Sequence, residues 1–109
     1  SVFALGDEAE AERGWRESLR IANETRGAWV ALEALVGIAS LQAKRGECEQ
    51  ALELLLIVLN HPASIQETKD RAARLRAELE AQLALTQIEA IQTRAGYKTF
   101  EAVVEDLLK

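Results

Sequence analysis

The chain has 109 residues, of which 49% are hydrophobic and 28% charged, and it carries a net charge of −5. This length suffices for one domain with a single core, and the balance of residue types is typical of an ordered rather than a disordered protein. Nucleic-acid binding is disfavoured because it needs clustered Lys and Arg. Arg71, Arg74 and Arg76 come closest to such a cluster, but the acidic residues around them indicate a solvated helix face.

Three features bear on the setting in which the protein works. Cys48 is the single cysteine, so no disulfide forms within the chain and a reducing compartment is favoured. The longest apolar run, residues 54–59, is far shorter than a membrane-spanning helix. The chain begins with Ser1, contains no methionine and opens on residues that resemble the end of a helix. We therefore expect a segment of a larger cytoplasmic protein.

The first element is an amphipathic helix. Gly6 opens a pattern in which apolar residues recur every three to four positions from Ala11 to Ala22. This spacing predicts a helix of about 15 residues. Residues 23–27 predict the loop that follows it.

The next two helices are more apolar. Residues 28–44 predict a helix that Gly46 ends, because glycine readily adopts the left-handed conformation of a helix C-terminus. Residues 47–59 predict a third helix. It is apolar on most sides, as expected for a helix packed between neighbours.

A proline separates the third helix from the fourth. Pro62 disfavours helical backbone in the residue before it, which predicts a break over residues 60–63. Ser64 then predicts the N-cap of a fourth helix, and Glu67 completes a capping box with it.

The last part of the chain leaves one boundary open. Thr86 and Glu89 form a second candidate capping box, so a new helix begins near residue 87 or the fourth helix runs straight through. Gly96 predicts a C-terminal cap. Thr99 predicts the start of a last short helix.

The pattern of the first helices recurs with a period of 40 residues. The shift aligns four positions: Gly6 with Gly46, Ala11 with Ala51, Trp15 with Leu55, and Leu19 with Leu59. A small residue followed one turn later by a bulky one suits two closely crossing helices. A helix-turn-helix unit of this length predicts an all-α solenoid of stacked antiparallel helices. We assign residues 1–63 to one and a half repeats and residues 64–109 to a degenerate repeat with capping helices in the same domain.

These residues resemble the tetratricopeptide repeat, whose pattern of large, small, glycine and alanine positions they fill. The residues that carry the resemblance are Leu35, Ile38, Ala39, Gly46, Ala51, Leu55 and Val58. The period is similar to that of the repeats in bacterial signal-transduction ATPases and ATP-dependent transcriptional activators. The alanine-rich tail over residues 91–103 is also similar to the helix pair that ends those arrays. The helix signals above predict about five or six helices, and the resemblance implies a role in bacterial signal transduction through protein–protein interaction.

Sites for chemistry are not evident. His61 is the single histidine and Cys48 the single cysteine, which is fewer ligands than a zinc site needs. The glycines are scattered singly, so no phosphate-binding loop occurs. We predict no catalytic residue, no metal and no cofactor, and we do not expect an enzyme. A small helical enzyme or ligand-binding domain would need a closed pocket with convergent polar groups.

A protein or peptide partner, or adjacent repeats of the parent chain, is the expected ligand. The candidate partner-binding face consists of Glu33, Val36, Ser40, Lys44, Arg76, Glu80 and Trp29. Two interpretations of this face stand side by side, a binding groove and a merely solvated surface. For Trp29 the alternatives are burial against the first helix and contact with a partner. Neither nucleic acid nor a membrane is expected as a partner.

A structural role is the alternative to partner binding. In this hypothesis the segment caps a repeat array or mediates self-association as a homo-oligomer. The terminal helices would then cover the exposed core of the last repeat. Their apolar and aromatic residues are Tyr97, Phe100, Val103 and Val104.

Overall fold

The structure, a computed structural model, describes the backbone of residues 2–25 and 27–108 and the side chains of residues 10–25 and 27–108. Within these ranges the chain is all-helical and contains no strand. Its six helices are α1 (Val2–Thr25), α2 (Ala28–Lys44), α3 (Cys48–Asn60), α4 (Gln66–Glu80), α5 (Leu85–Tyr97) and α6 (Phe100–Leu108). The prediction of an all-α chain with five or six helices is confirmed.

The boundaries around α2, α3 and α6 follow the predicted signals. The helix predicted for residues 28–44 matches α2 at both ends, and α3 is displaced by one residue from its prediction. Gly46 adopts a φ of +84° between these helices, a conformation that glycine tolerates at little cost. At the start of α6, the Thr99 hydroxyl accepts a hydrogen bond of 3.1 Å from the backbone N–H of Ala102. Thr99 is therefore the N-cap that the sequence predicts.

The predicted helix start at Gly6 is wrong. Helix α1 runs without interruption through this position, so Gly6 does not form a turn equivalent to the one at Gly46. A single glycine inside a helix costs only about 1 kcal/mol. The packing of α1 along α2 offsets a cost of this size.

The predicted capping role of Ser64 is also wrong. Its buried hydroxyl donates a 2.6 Å hydrogen bond to the carbonyl oxygen of Val58, near the end of α3. Helix α4 begins two residues later, and its N-cap position is Ile65, which has no side-chain acceptor. Ser64 thus donates to a carbonyl near the end of the preceding helix, which also accepts from the backbone N–H of His61, and does not accept from an N–H group of the next helix.

Between α4 and α5 the chain breaks, which decides the boundary that the sequence leaves open. Helix α4 ends at Glu80, and α5 begins at Leu85. The side chain of Gln87 accepts a 2.9 Å hydrogen bond from the backbone N–H of Ala84, at the N-terminus of α5. The predicted cap at Gly96 is wrong, because α5 continues through Gly96 and ends one residue later.

Helix α3 lies at the centre of the core. All eight residues from position 51 to position 58 are buried, and α3 packs against α2, α4 and α5. Helix α1 covers the other side of α2. One hydrophobic cluster joins residues from the segments 1–63 and 64–109.

The last helix returns to the first. Helix α6 packs against α1, and the guanidinium Nη1 of Arg16 donates a hydrogen bond to the carbonyl oxygen of Leu107. In a linear array each repeat contacts only its neighbours in sequence. Here the last helix packs against the first, and the helices form a compact globule that measures 37 × 35 × 27 Å.

Among the described residues, no helix combines the length and the apolar character that crossing a membrane requires.

Helices α1 and α2 approach each other closely at Gly37. The indole of Trp15 lies against the backbone of this glycine, and a Cβ added there would lie 2.6 Å from the indole Nε1. Trp15 thereby packs against the core as the sequence predicts. Only a glycine leaves room for the ring at this crossing.

We therefore expect Gly37→Ala to lower the free energy of unfolding by roughly 1–3 kcal/mol, since the methyl group overpacks the contact with Trp15. Gly14→Ala is the matched control, because it lies in α1 and an added Cβ meets nothing within 4 Å. This control should gain about 0.5–1 kcal/mol from helix propensity alone. Urea denaturation followed by circular dichroism measures both changes. Two variants of equal stability would contradict the close approach of Trp15.

Candidate protein-interaction surface

Part of the predicted partner-binding face lines a groove between α2 and α4. Val36 and Ser40 of α2 lie at an open depression of about 270 Å³. The residues that α4 contributes are Arg71, Arg74, Leu75 and Glu78. We call this depression the α2–α4 groove.

The side chains of the groove divide into an apolar and a polar part. Val36 is only 3% exposed, and Leu75 is half-buried, so they form apolar lining with little surface of their own. Arg71 and Arg74 are exposed, and neither forms an ion pair with another residue in the described part of the chain. Unpaired guanidinium groups are strong binding groups for carboxylates.

The other predicted face residues lie outside the groove lining. Arg76 and Glu80 form an ion pair of 3.3 Å with each other on α4. Glu33 is half-buried on α2, and Lys44 is exposed at its end. The spacing of α4 explains the difference, because residues 71, 74, 75 and 78 follow one helix face. Arg76 points along another face.

Trp29 is 52% exposed in the first turn of α2. Its near neighbours in sequence, Ala28 and Ala31, line a cleft of about 450 Å³. This cleft lies between α1, α2 and α6, and its other lining residues are Ala22, Asn23, Phe100, Glu101 and Val104. The indole of Trp29 is therefore not fully buried against the first helix.

A buried carboxylate joins α3 to α5, and the sequence analysis missed its role. Glu53 is 8% exposed in the apolar centre of α3. Its Oε2 lies 2.7 Å from the Nε of Arg94, and its Oε1 forms an ion pair with Lys98. The sequence signal for this role is that Glu53 is the one glutamate among the apolar residues 51–58. A carboxylate in such a position needs a cationic partner.

Helix α1 is tied to the α2–α3 turn by a second ion pair. The Nη2 of Arg45 lies 2.9 Å from the Oε2 of Glu12. The hydrogen bond from Arg45 is the main cause that lowers the pKa of Glu12, and Arg16 adds to it. Glu12 therefore stays ionised at neutral pH and holds both guanidinium groups.

The residues with potential for metal or nucleophilic chemistry make structural contacts. The ring of His61 packs edge-on against Phe100 at 4.8 Å, and its Nδ1 accepts a hydrogen bond from the N–H of Ala63. The Sγ of Cys48 lies 3.7 Å from the side-chain oxygen of Gln82. No group of three or more metal-ligating side chains occurs among the described residues.

Comparison with known proteins adds no relative: no protein-family model, no curated protein and no solved structure matches this chain.

We expect Glu53→Gln to lower the free energy of unfolding by about 1–2 kcal/mol, because it replaces two ion pairs with at most one hydrogen bond from a cation to a neutral amide oxygen. The two cations are partly solvated, which limits the cost. Glu49→Gln is the matched control, one turn earlier on the same helix, where the carboxylate accepts a 3.1 Å hydrogen bond from the side chain of Gln87. This surface change should stay within about 0.5 kcal/mol. Chemical denaturation of both variants tests the expectation, and a Glu53→Gln variant as stable as the control would refute it.

Proposed function

We propose that the chain is a protein-interaction scaffold, and that the α2–α4 groove binds a short acidic segment of a partner protein. The observation that carries the proposal is the pair of arginines, Arg71 and Arg74, beside the apolar lining. Both are free of ion pairs within the described residues, in a chain whose net charge is −5.

The chemistry of the groove suits a carboxylate next to an apolar side chain. Arginine binds carboxylates through two parallel hydrogen bonds, which fixes the orientation of the bound group. The apolar lining at Val36 and Leu75 would take up a neighbouring aliphatic side chain. Arginine is enriched at protein interfaces for these reasons. The bacterial signal-transduction setting rests on the resemblance to tetratricopeptide repeats and belongs to the same proposal.

A peptide-display selection against the full chain tests the proposal. Enriched peptides should carry Asp or Glu beside an aliphatic residue. In fluorescence anisotropy, the double variant Arg71→Ala/Arg74→Ala should bind these peptides at least about tenfold more weakly than the original chain, which corresponds to about 1.4 kcal/mol.

Arg20→Ala is the matched control for this experiment. Arg20 is an exposed arginine on α1 that pairs with Glu17 and Glu24, and it does not line the groove. Its replacement should leave peptide affinity unchanged. A selection that yields no acidic peptide, or peptides that bind the double variant as tightly as the original chain, would refute the proposal.

A structural cap is the second candidate function, and the packing of α6 favours it. Val103 and Val104 are buried, and α6 packs against α1. A terminal element that covers apolar surface in this way would close a helical array. Light scattering separates the hypotheses, because a cap predicts a monomer at high protein concentration and a self-association module predicts larger species.

A further inference from the structure

The face of α2 that lines the α2–α4 groove continues toward the N-terminus of this helix. Val36 and Ser40 line the groove, and Trp29 and Glu33 precede Val36 by seven and three residues. Residues at this spacing lie on one side of a helix. Trp29 is 52% exposed and Glu33 is half-buried. Both residues therefore extend the surface of the groove beyond its lining.

Helix α4 extends this surface in the same direction. The connections over residues 45–47 and 61–65 are short, and short connections join antiparallel helices. The chain thus reverses twice, so that α4 runs parallel to α2. Glu67 is exposed in the first turn of α4 and precedes Arg71 by four residues, on the same side of the helix. Its place along the groove is therefore beside Glu33.

One end of the extended groove is cationic. Arg71 and Arg74 line it, and Lys44 is exposed on α2, one turn beyond Ser40. Glu78 is the carboxylate that lines this end. Three cations against one carboxylate leave a positive charge that suits an acidic group of a ligand.

The other end is acidic and carries an exposed indole. Glu33 and Glu67 form no ion pair or hydrogen bond among the described residues. Lys69 is the cation nearest to Glu67 along α4, but two residues of separation place it on nearly the opposite side of the helix. Trp29 lies one turn before Glu33. Carboxylates next to an indole face suit a Lys or Arg side chain, since the aromatic ring also attracts cations.

We propose that the ligand of the α2–α4 groove is a segment with an acidic and a basic residue at a fixed spacing, which rests on the function proposed above. The acidic residue binds Arg71 and Arg74, and the basic residue binds Glu33 and Glu67 and stacks on Trp29. The groove thereby selects both the partner segment and its direction.

The spacing of the two residues follows from helix geometry. Seven residues separate Glu33 from Ser40, which corresponds to about 10 Å along α2. An extended peptide advances about 3.3 Å per residue. The basic residue of an extended ligand therefore lies about three positions from the acidic one, on one side of it only.

The acidic peptides from the display selection are the probes for the test. Each is synthesised with Lys or with Gln three positions from its acidic residue, on either side. In fluorescence anisotropy, Lys on one side should bind the original chain at least about fivefold more tightly than Gln, from an ion pair and a cation–π contact together. Lys on the other side should bring no such gain.

Variants of the acidic end should remove this preference for Lys. In Glu33→Gln/Glu67→Gln, Lys and Gln peptides should bind equally, and the affinity of the Gln peptide should stay within about twofold of its original value. Trp29→Ala should reduce the preference about twofold or more, because the cation–π contact is lost. Glu67→Gln and Trp29→Ala lie at exposed positions and cover the case in which Glu33→Gln does not fold.

Glu101→Gln/Glu105→Gln is the matched control for the net charge. Both glutamates are exposed on α6, and neither lines the groove. A chain with a net charge of −5 attracts any basic peptide, and this control loses the same two charges as the variant. It should keep the full preference for Lys.

The outcomes separate this proposal from the function on which it rests. Acidic peptides that depend on Arg71 and Arg74 but bind equally well with Lys or Gln would overturn this proposal alone. A preference for Lys that persists in Glu33→Gln/Glu67→Gln would also overturn it. If no acidic peptide depends on the two arginines, both proposals are wrong.

Discussion

The structure depends on the burial of α3, a helix that is apolar on nearly every side. Eight consecutive residues, from position 51 to position 58, are buried. Each fully buried leucine contributes roughly 1.5–3 kcal/mol, so leaving any side of this helix exposed would be costly. The chain surrounds α3 with α2, α4 and α5, and each of these helices takes its place through that contact.

Glu53 determines which side of α3 faces α5. Its carboxylate is the one charged group inside the buried run of α3, and it requires cations that only α5 and the residue after it supply. The pairing with Lys98 fixes the point from which α6 departs, and α6 then lies across α1. The need of the buried Glu53 carboxylate for cationic partners thereby helps to close the chain into a globule. The same closure leaves the α2–α4 groove open.

Helices and their central packing were predictable from the sequence, because apolar periodicity and glycine conformation act locally. The bounds of α2 and the left-handed turn at Gly46 follow from such signals. The errors at Gly6, Ser64 and Gly96 are of one kind, because each residue has only a local preference for a helix end. Ser64 instead donates a hydrogen bond to the preceding helix, and α1 and α5 continue through Gly6 and Gly96. Local preferences of about 1 kcal/mol do not by themselves decide where a helix ends.

The packing of α6 against α1 was not predictable from such local signals. The contacts in the α2–α4 groove were not predictable from them either. A repeat pattern indicates contacts between neighbours in sequence, whereas Arg16 and Leu107 lie 91 positions apart. The arginines of the α2–α4 groove were visible in the sequence, but their lack of ion pairs depends on which face α4 turns outward. Charge partners are a property of the folded surface, and composition alone does not reveal them.

Nuclear Overhauser spectroscopy of the full chain tests the central claim, that the last helix closes onto the first. The structure predicts contacts between the side-chain protons of Arg16 and those of Leu107, because the two residues share a hydrogen bond. It also predicts contacts between Ala22 and Val104, which line the same cleft. A spectrum in which α6 shows contacts to α5 alone would contradict the account and would indicate an open array of helices.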